Sequence, residues 1–293
     1  MFKKNTIYLL KSKISFLLIA CIFVTMSSFA QDATTDSGKK PVRDPWASTL
    51  LIDNQTSLMQ YSGSLELIIH HRFGEIKDFS DLLGIYAPSN IKMGLNYGVN
   101  DWLMVGLGTE KNNKFQELQW KAKILSQNRS GSIPVDIVYY GNIGLDARDE
   151  EVFGANYKFT NRLSYFNQLI ISRKFTPAFS FQVAPSYMHF NAVDSVMHND
   201  YFGLSAGGRY KIYNEISLLV EYDQGFPIGT MANDEELPKP NFAFGVEFGT
   251  STHCFQVVAA SYDNIINQKN YAYNKNDFFD GKIFLGFNIT VRF

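Results

Sequence analysis

In KIFLGFNITVRF, residues 282–293, every second position is large and apolar: Ile283, Leu285, Phe287, Ile289, Val291 and Phe293. Lys282, Phe284, Gly286, Asn288, Thr290 and Arg292 stand between them. A side-chain period of two belongs to a strand with one apolar and one polar face. Two settings produce such a strand. In a soluble sandwich or small barrel the apolar face meets the core; in an outer-membrane barrel it meets lipid and the polar face lines the lumen. Periodicity alone does not say which face is inside, so the rest of the chain decides.

The same alternation recurs upstream over Ser64–Gly74, Asn90–Gly98, Trp102–Glu110, Gln116–Leu125, Pro134–Leu145, Arg162–Phe175, Phe179–Asn191, Tyr201–Ile212, Ile216–Asp223, Asn241–Gly249 and Cys254–Tyr262. With Lys282–Phe293 this predicts twelve strands, most near the ten-residue length that crosses a bilayer at a tilt. Connections alternate between short (99–101, 176–178, 213–215, 250–253) and long (75–89, 146–161, 192–200, 224–240, 263–281), although the 126–133 turn is longer than the other short ones and the 111–115 loop shorter than the other long ones. Short periplasmic turns and long external loops are the habit of outer-membrane barrels, and an even strand number returns both ends to the periplasm. Thr49–Met59 (TLLIDNQTSLM) is also strand-like, but a thirteenth strand breaks parity. It is expected outside the wall, either periplasmic or tucked into the lumen as a partial plug.

Aromatic residues mark both ends of the apolar faces. Tyr97, Phe175, Phe179, Tyr210, Phe248 and Phe293 fall at the turn end; Phe73, Tyr165, Tyr187, Phe202, Tyr222 and Phe242 fall at the loop end. Aliphatic residues lie between, as expected of two interfacial girdles around a lipid-facing band. The opposite face carries Glu66, His70, Arg72, Lys92, Glu117, Lys121, Asp136, Arg209, Lys211, Glu221 and Glu247, with Gly94, Gly106 and Gly207 among them. Mixed charge with glycine suits a crowded, wet lumen better than a soluble surface, where glycine weakens strands without return.

The beginning of the chain places it in the export pathway. Lys3, Lys4, Lys11 and Lys13 precede an apolar run over 14–24, and Ser28-Phe29-Ala30 forms a small-x-small site. This predicts a signal peptide over 1–30, cut after Ala30, a flexible periplasmic segment over 31–62 and a barrel over 63–293. A lipobox reading centred on Cys21 competes, but the chain stays apolar after that cysteine. Beyond the leader only Cys254 remains, so no internal disulfide is expected, and no zinc-type spacing exists. The formal charge is -1, without a basic patch, which argues against nucleic acid as a partner. Aromatics make up 15% while mean hydropathy is only -0.13, and no stretch after the leader approaches a membrane helix.

GSLELIIHHRFG (63–74), IYAPSNIKMGLNYGVNDWLMVGLGT (85–109), VAPSYMHFNAV (183–193) and FLGFNITVRF (284–293) resemble an uncharacterised family of Bacteroidota β-barrels, a domain of unknown function, over about residues 51–293. The row Phe287, Ile289, Val291 and Phe293 also looks like the terminal signature by which bacterial barrels are recognised by the barrel-assembly machinery. The resemblance implies fold and outer-membrane location, and no chemistry.

Three functions suit such a barrel. A narrow porin-like channel for small polar solutes leads, because twelve strands lie between side-chain-filled and open barrels. Within it, His70 and Arg72 on the lumen face could form a solute-contacting, pH-sensitive patch. The plainer expectation is that Glu66 and Arg72 pair across the lumen with Arg209, Glu221 or Glu247 and fill it. A scaffold holding an unidentified periplasmic protein through residues 31–62 is the second class. An outer-membrane lipase or protease is the third. It is disfavoured because Ser186 and His189 lie on opposite faces of one strand, and no Ser–His–acid set stands out. Asp146, Asp149, Glu150 and Glu151 form an acidic loop without an EF-hand pattern, expected to be solvated. No cofactor, metal or catalytic residue is assigned.

Overall fold

The computed structural model describes residues 40–43, 45–77, 80, 82–229 and 237–293. The expected signal peptide and residues 31–39 and 44 of the expected periplasmic segment lie outside the described residues. Twelve strands form one closed antiparallel barrel in which each strand pairs with its neighbours in sequence and β1 closes on β12. They are β1 (Leu65–Glu75), β2 (Asn90–Asn100), β3 (Leu103–Glu110), β4 (Phe115–Leu125), β5 (Asp136–Leu145) and β6 (Leu163–Lys174). The second half comprises β7 (Phe179–Phe190), β8 (Asp200–Tyr213), β9 (Ile216–Pro227), β10 (Asn241–Gly249), β11 (His253–Ala260) and β12 (Phe284–Arg292). Closure leaves no edge strand, so the wall pairs its backbone groups within its own ladders rather than with water.

The expected strands are all present. β9 runs four residues beyond the expected Asp223, because Phe226 pairs with Phe202 and Pro227 with Tyr201. Proline's missing N–H is tolerated there, at the strand's end.

Strand parity sorts the wall into two environments. In β1 the even positions Glu66, Ile68, His70 and Arg72 are buried, while Leu67, Ile69, His71 and Phe73 face outward. The β12 ladder sets Ile69 beside Ile289 and His71 beside Phe287, whose rings stack at 5.0 Å. Both aromatic rows face out. At the loop end Phe242 and Phe244 extend the girdle through a 3-10 turn, Phe278–Asp280, whose two phenylalanines pack on them. An outward polar pair also occurs: Tyr139 donates to Asn167 at 2.5 Å, satisfying both where the surroundings are apolar.

The interior is less polar than alternation predicts. Met104, Val138, Tyr140, Phe166, Ile170, Met188 and Tyr201 point inward from β3 and β5–β8 and form an apolar cluster. They bury no lipid-facing surface; they pack on Met59, Tyr271 and Ala272, which come from outside the wall. A barrel interior filled by its own chain can use a conventional apolar core, and this one does on two sides, since Trp46, Leu51 and Ile52 pack with Leu219, Ala243, Val258 and Ala260 of β9–β11 in a second cluster.

Candidate functional site

Among the described residues two segments occupy the lumen, one from each end. The first enters from the turn end. Pro41 bridges Asn128 of the β4–β5 turn, Arg43 accepts from Lys174, and Pro45 accepts from Ser180 at the start of β7. Trp46 to Gln60 then runs inside the barrel, almost wholly buried. Its centre is a hairpin: Leu50 bridges Gln55, the Thr56 amide donates to the Thr49 carbonyl at 2.8 Å, and the Leu51 amide to the Asn54 carbonyl at 2.9 Å. The tip is Leu51-Ile52-Asp53-Asn54. The chain leaves again at the turn end, where Gly98 approaches Tyr61 closely enough that a Cβ would lie 2.0 Å from its carbonyl oxygen.

Five of the wall charges named from sequence, Glu66, Arg72, Lys121, Asp136 and Glu221, are spent on this hairpin. Glu221 accepts the Ile52, Asp53 and Asn54 amides at 3.0–3.2 Å, satisfying backbone donors that a tight turn leaves open. Lys121 donates to the carbonyls of Thr49, Thr56 and Leu58 at 3.0–3.2 Å. Glu66 accepts from Thr49 and Gln60, each at 2.6 Å, and from Asn96 at 3.0 Å. Arg72 pairs with Asp53 at 2.6 Å, and both are buried. Asp136 lies by Ser57, whose hydroxyl meets that of Ser172 at 2.6 Å.

The remaining charges pair within the wall. Lys92 meets Glu117 at 2.5 Å, and Arg209 meets Glu247 at 2.6 Å. The expected cross-lumen pairing of Glu66 and Arg72 with Arg209, Glu221 or Glu247 does not occur. Glu66 instead has Arg292 of the neighbouring strand at 3.4 Å, and Arg72 has Asp53. An occupied interior puts a closer partner between opposite walls. His70 is sealed from solvent, its ring nitrogens without a hydrogen-bond partner among the described residues. Phe287, Ile289, Val291 and Phe293 all lie on the outward face of the last strand.

The second occupant descends from the loop end. The β11–β12 connection carries a helix, α1 (Asn267–Tyr273), with six of its seven residues buried. Sequence reasoning missed it, since Asn-Gln-Lys-Asn-Tyr-Ala-Tyr has no apolar stripe. Gln268 and Asn267 are nonetheless matched to polar partners, while the Asn270 amide and the Lys269 ammonium have none among the described residues. Gln268 donates to Asn142 and Ser164 at 3.0 and 3.1 Å. Gly225 lets it seat: a Cβ there would lie 2.1 Å from the Tyr271 carbonyl oxygen. The two occupants meet at Asn54, whose side-chain oxygen accepts from the Tyr271 hydroxyl at 2.8 Å and from Gln168 at 3.2 Å. Asn267 adds a contact to the Asp53 carbonyl at 3.3 Å. Hairpin and helix thus form one continuous filling.

Above α1, at the loop end, a cavity of about 630 Å³ remains. Arg148 clamps Asp146 through Nε and Nη2 at 2.7–3.1 Å, and Arg162 donates to the Asp146 carbonyl at 2.9 Å and to that of Arg148. These bonds fold the acidic loop over the cavity rather than leaving it solvated at Asp146. Among the described residues no cluster of His, Cys, Asp and Glu could hold a metal. His189 faces outward and pairs with Asp200 at 2.8 Å, away from Ser186, which faces the lumen.

A family model for a membrane-bound β-barrel domain matches residues 46–293. No functionally curated protein matches the chain. Among solved structures, the NanC porin is similar at 10% identity and a TM-score of 0.50, covering 78% of this chain and 98% of that one. An outer-membrane channel from Pseudomonas putida F1 aligns at 10% identity and 0.47, covering 80% and 97%. The KdgM porin aligns at 6% identity and 0.46, covering 78% and 98%. At these identities the likeness is one of fold.

Proposed function

The chain belongs to the membrane-bound β-barrel family DUF5777, matched from Trp46 onward and therefore with the lumen hairpin inside the family domain, and from that premise we propose an outer-membrane channel for small polar solutes, closed in this state by its own chain. The turn end is periplasmic and the loop end external, by the lengths of their connections. The leader over residues 1–30 directs export, and the outward row ending at Phe293 serves recognition by the barrel-assembly machinery.

One observation carries the channel reading. Besides the apolar packing of Leu51, Ile52 and Met59, the hairpin is held to the wall by hydrogen bonds and ion pairs through Glu66, Arg72, Lys121 and Glu221. Water or a polar solute can take over such contacts one by one. A segment built only to rigidify the barrel has no use for so many buried charges, since apolar packing does that at lower cost. With the hairpin displaced, those same groups become the lining of a polar pore.

The test is planar-bilayer conductance of the refolded full chain, with liposome swelling to compare solutes. The Ser57 and Ser172 hydroxyls touch, so cysteines at both positions can lock the hairpin to β6. Conductance is expected to vanish on oxidation and return with reductant. A protein that stays silent as wild type and also after Arg72→Met, which removes the hairpin's buried cation partner, is not a channel.

A further inference from the structure

We propose that the external cavity over α1 is a binding site for a small organic carboxylate, with Lys269 as its cationic anchor. The inference goes beyond conduction and does not require it, because the site is complete in the closed state.

Lys269 projects from α1 and lines the cavity, yet only 7% of the residue is exposed. Its ammonium rests 4.4 Å from the centroid of the Phe115 ring and has no hydrogen-bond partner among the described residues. Three donors on one buried charge are thus left unused, although Glu110 and Asp146 are near enough to favour the charged form. Neither carboxylate lies within ion-pair distance of it. Elsewhere in this barrel the buried cations are matched at close range: Arg72 by Asp53, Lys92 by Glu117, Arg209 by Glu247, Lys121 by three carbonyls. Among the described residues the exception is the one that lines an open cavity.

The rest of the lining agrees with an anion. It contains three basic side chains, Arg148, Arg162 and Lys269, against two acidic ones, Asp146 and Asp194. Asp146 is already neutralised by Arg148 at 2.7 Å. Aromatic surface is provided by Phe115, Phe190 and Tyr273, the last two packed edge-on at 5.4 Å. A carboxylate supplies two acceptor oxygens to the ammonium, and its organic body meets the aromatic walls.

Titration calorimetry on the full chain in detergent micelles, at neutral pH and low salt, tests this with lactate and benzoate against their neutral counterparts lactamide and benzamide. At least one carboxylate is expected to bind tenfold or more tightly than its amide. Lys269→Met, which keeps the contact with Phe115, is expected to erase that preference, and Lys269→Arg to keep it. Equal binding of acid and amide by the wild type, or no binding of either acid, overturns the site without any variant having to fold. A preference unchanged in Lys269→Met overturns the anchor. Binding in a protein that never conducts would sink the channel and leave this site standing; conduction without carboxylate binding would do the reverse.

Discussion

Arg72 and Asp53 form an ion pair at 2.6 Å with both side chains inside the barrel, where an unpaired charge is far more costly than at a surface. Asp53 sits at the hairpin tip among two further carboxylates, Glu221 and Asp223, which the hairpin approaches through the amides of residues 52–54 and the Asn54 side chain. Removing the one cation therefore leaves three clustered carboxyl groups at the tip with no cation beside them. Arg72→Met is expected to loosen the hairpin by about 3–5 kcal/mol, the usual cost of stripping one partner from a buried pair. The barrel should still insert, because the wall ladder does not pass through this side chain. Faster amide exchange at residues 51–54, with unchanged heat-modifiable migration on gels, is the expected signature, and adding Asp53→Leu should reverse part of it. Exchange at the tip no faster than wild type would mean the pair does not hold the hairpin. That Arg72 points inward was legible from its parity in SLELIIHHRFG. That its partner is Asp53 was not, since alternation assigns a face but no partner.

At the scale of elements, the strands were legible because each has two unlike environments and so a period of two. That makes parity testable within β1. Ile69 faces lipid and pairs with Ile289 and Met93, both outward. Arg at Ile69 is expected to cost about 2–4 kcal/mol if the site lies near the bilayer midplane, less toward an interface. Urea titration of the protein in liposomes measures it; a cost near zero would reverse the two faces of the wall. The helix α1 was illegible for the opposite reason. Helices are found in sequence by an apolar stripe facing a core, but this one docks in a polar lumen, so burial and polarity run together. Its place is signalled instead by a gap in the wall. At Gly225 a Cβ would meet backbone, the Tyr271 carbonyl at 2.1 Å, which cannot turn aside. At Gly207 it would meet first the end of the Leu51 side chain at 2.3 Å, which can, and the Val220 carbonyl oxygen only at 3.0 Å. Gly225→Val is accordingly expected to unseat α1 and raise its amide exchange while the barrel persists, and Gly207→Ala to do much less. Equal and small effects of both would show that neither occupant is fitted to its glycine. A glycine in mid-strand is thus the sequence signal of a close backbone approach, although nothing in the sequence says which segment approaches.

The whole molecule is a wall and two occupants that touch at Asn54, so whatever weakens the seat of one occupant removes contacts from the other. Lys269 makes that seat depend on pH. Burial pulls its ammonium below the ordinary lysine range, only partly offset by the charges of Glu110 and Asp146, and Arg148 pushes it further down. A lysine with a lowered value when docked and an ordinary value of about 10.5 when undocked opposes docking wherever it is charged in both states. Below the lowered value that opposition is complete and constant. As pH rises from there toward 10.5, the docked amine gives up its proton first, and docking of α1 strengthens. An anion in the cavity acts in the other direction, since it favours the ammonium and loses its hold as the proton leaves. Open probability in planar bilayers is therefore expected to fall as pH is raised through the window below 10.5, with Lys269→Met flattening that part of the profile and carboxylate affinity declining over the same range. A wild-type profile that rises in this window, or one whose slope survives in Lys269→Met, would separate the titration of Lys269 from the closure of the barrel. The filling would then be held by the hairpin alone, and α1 would be its passenger.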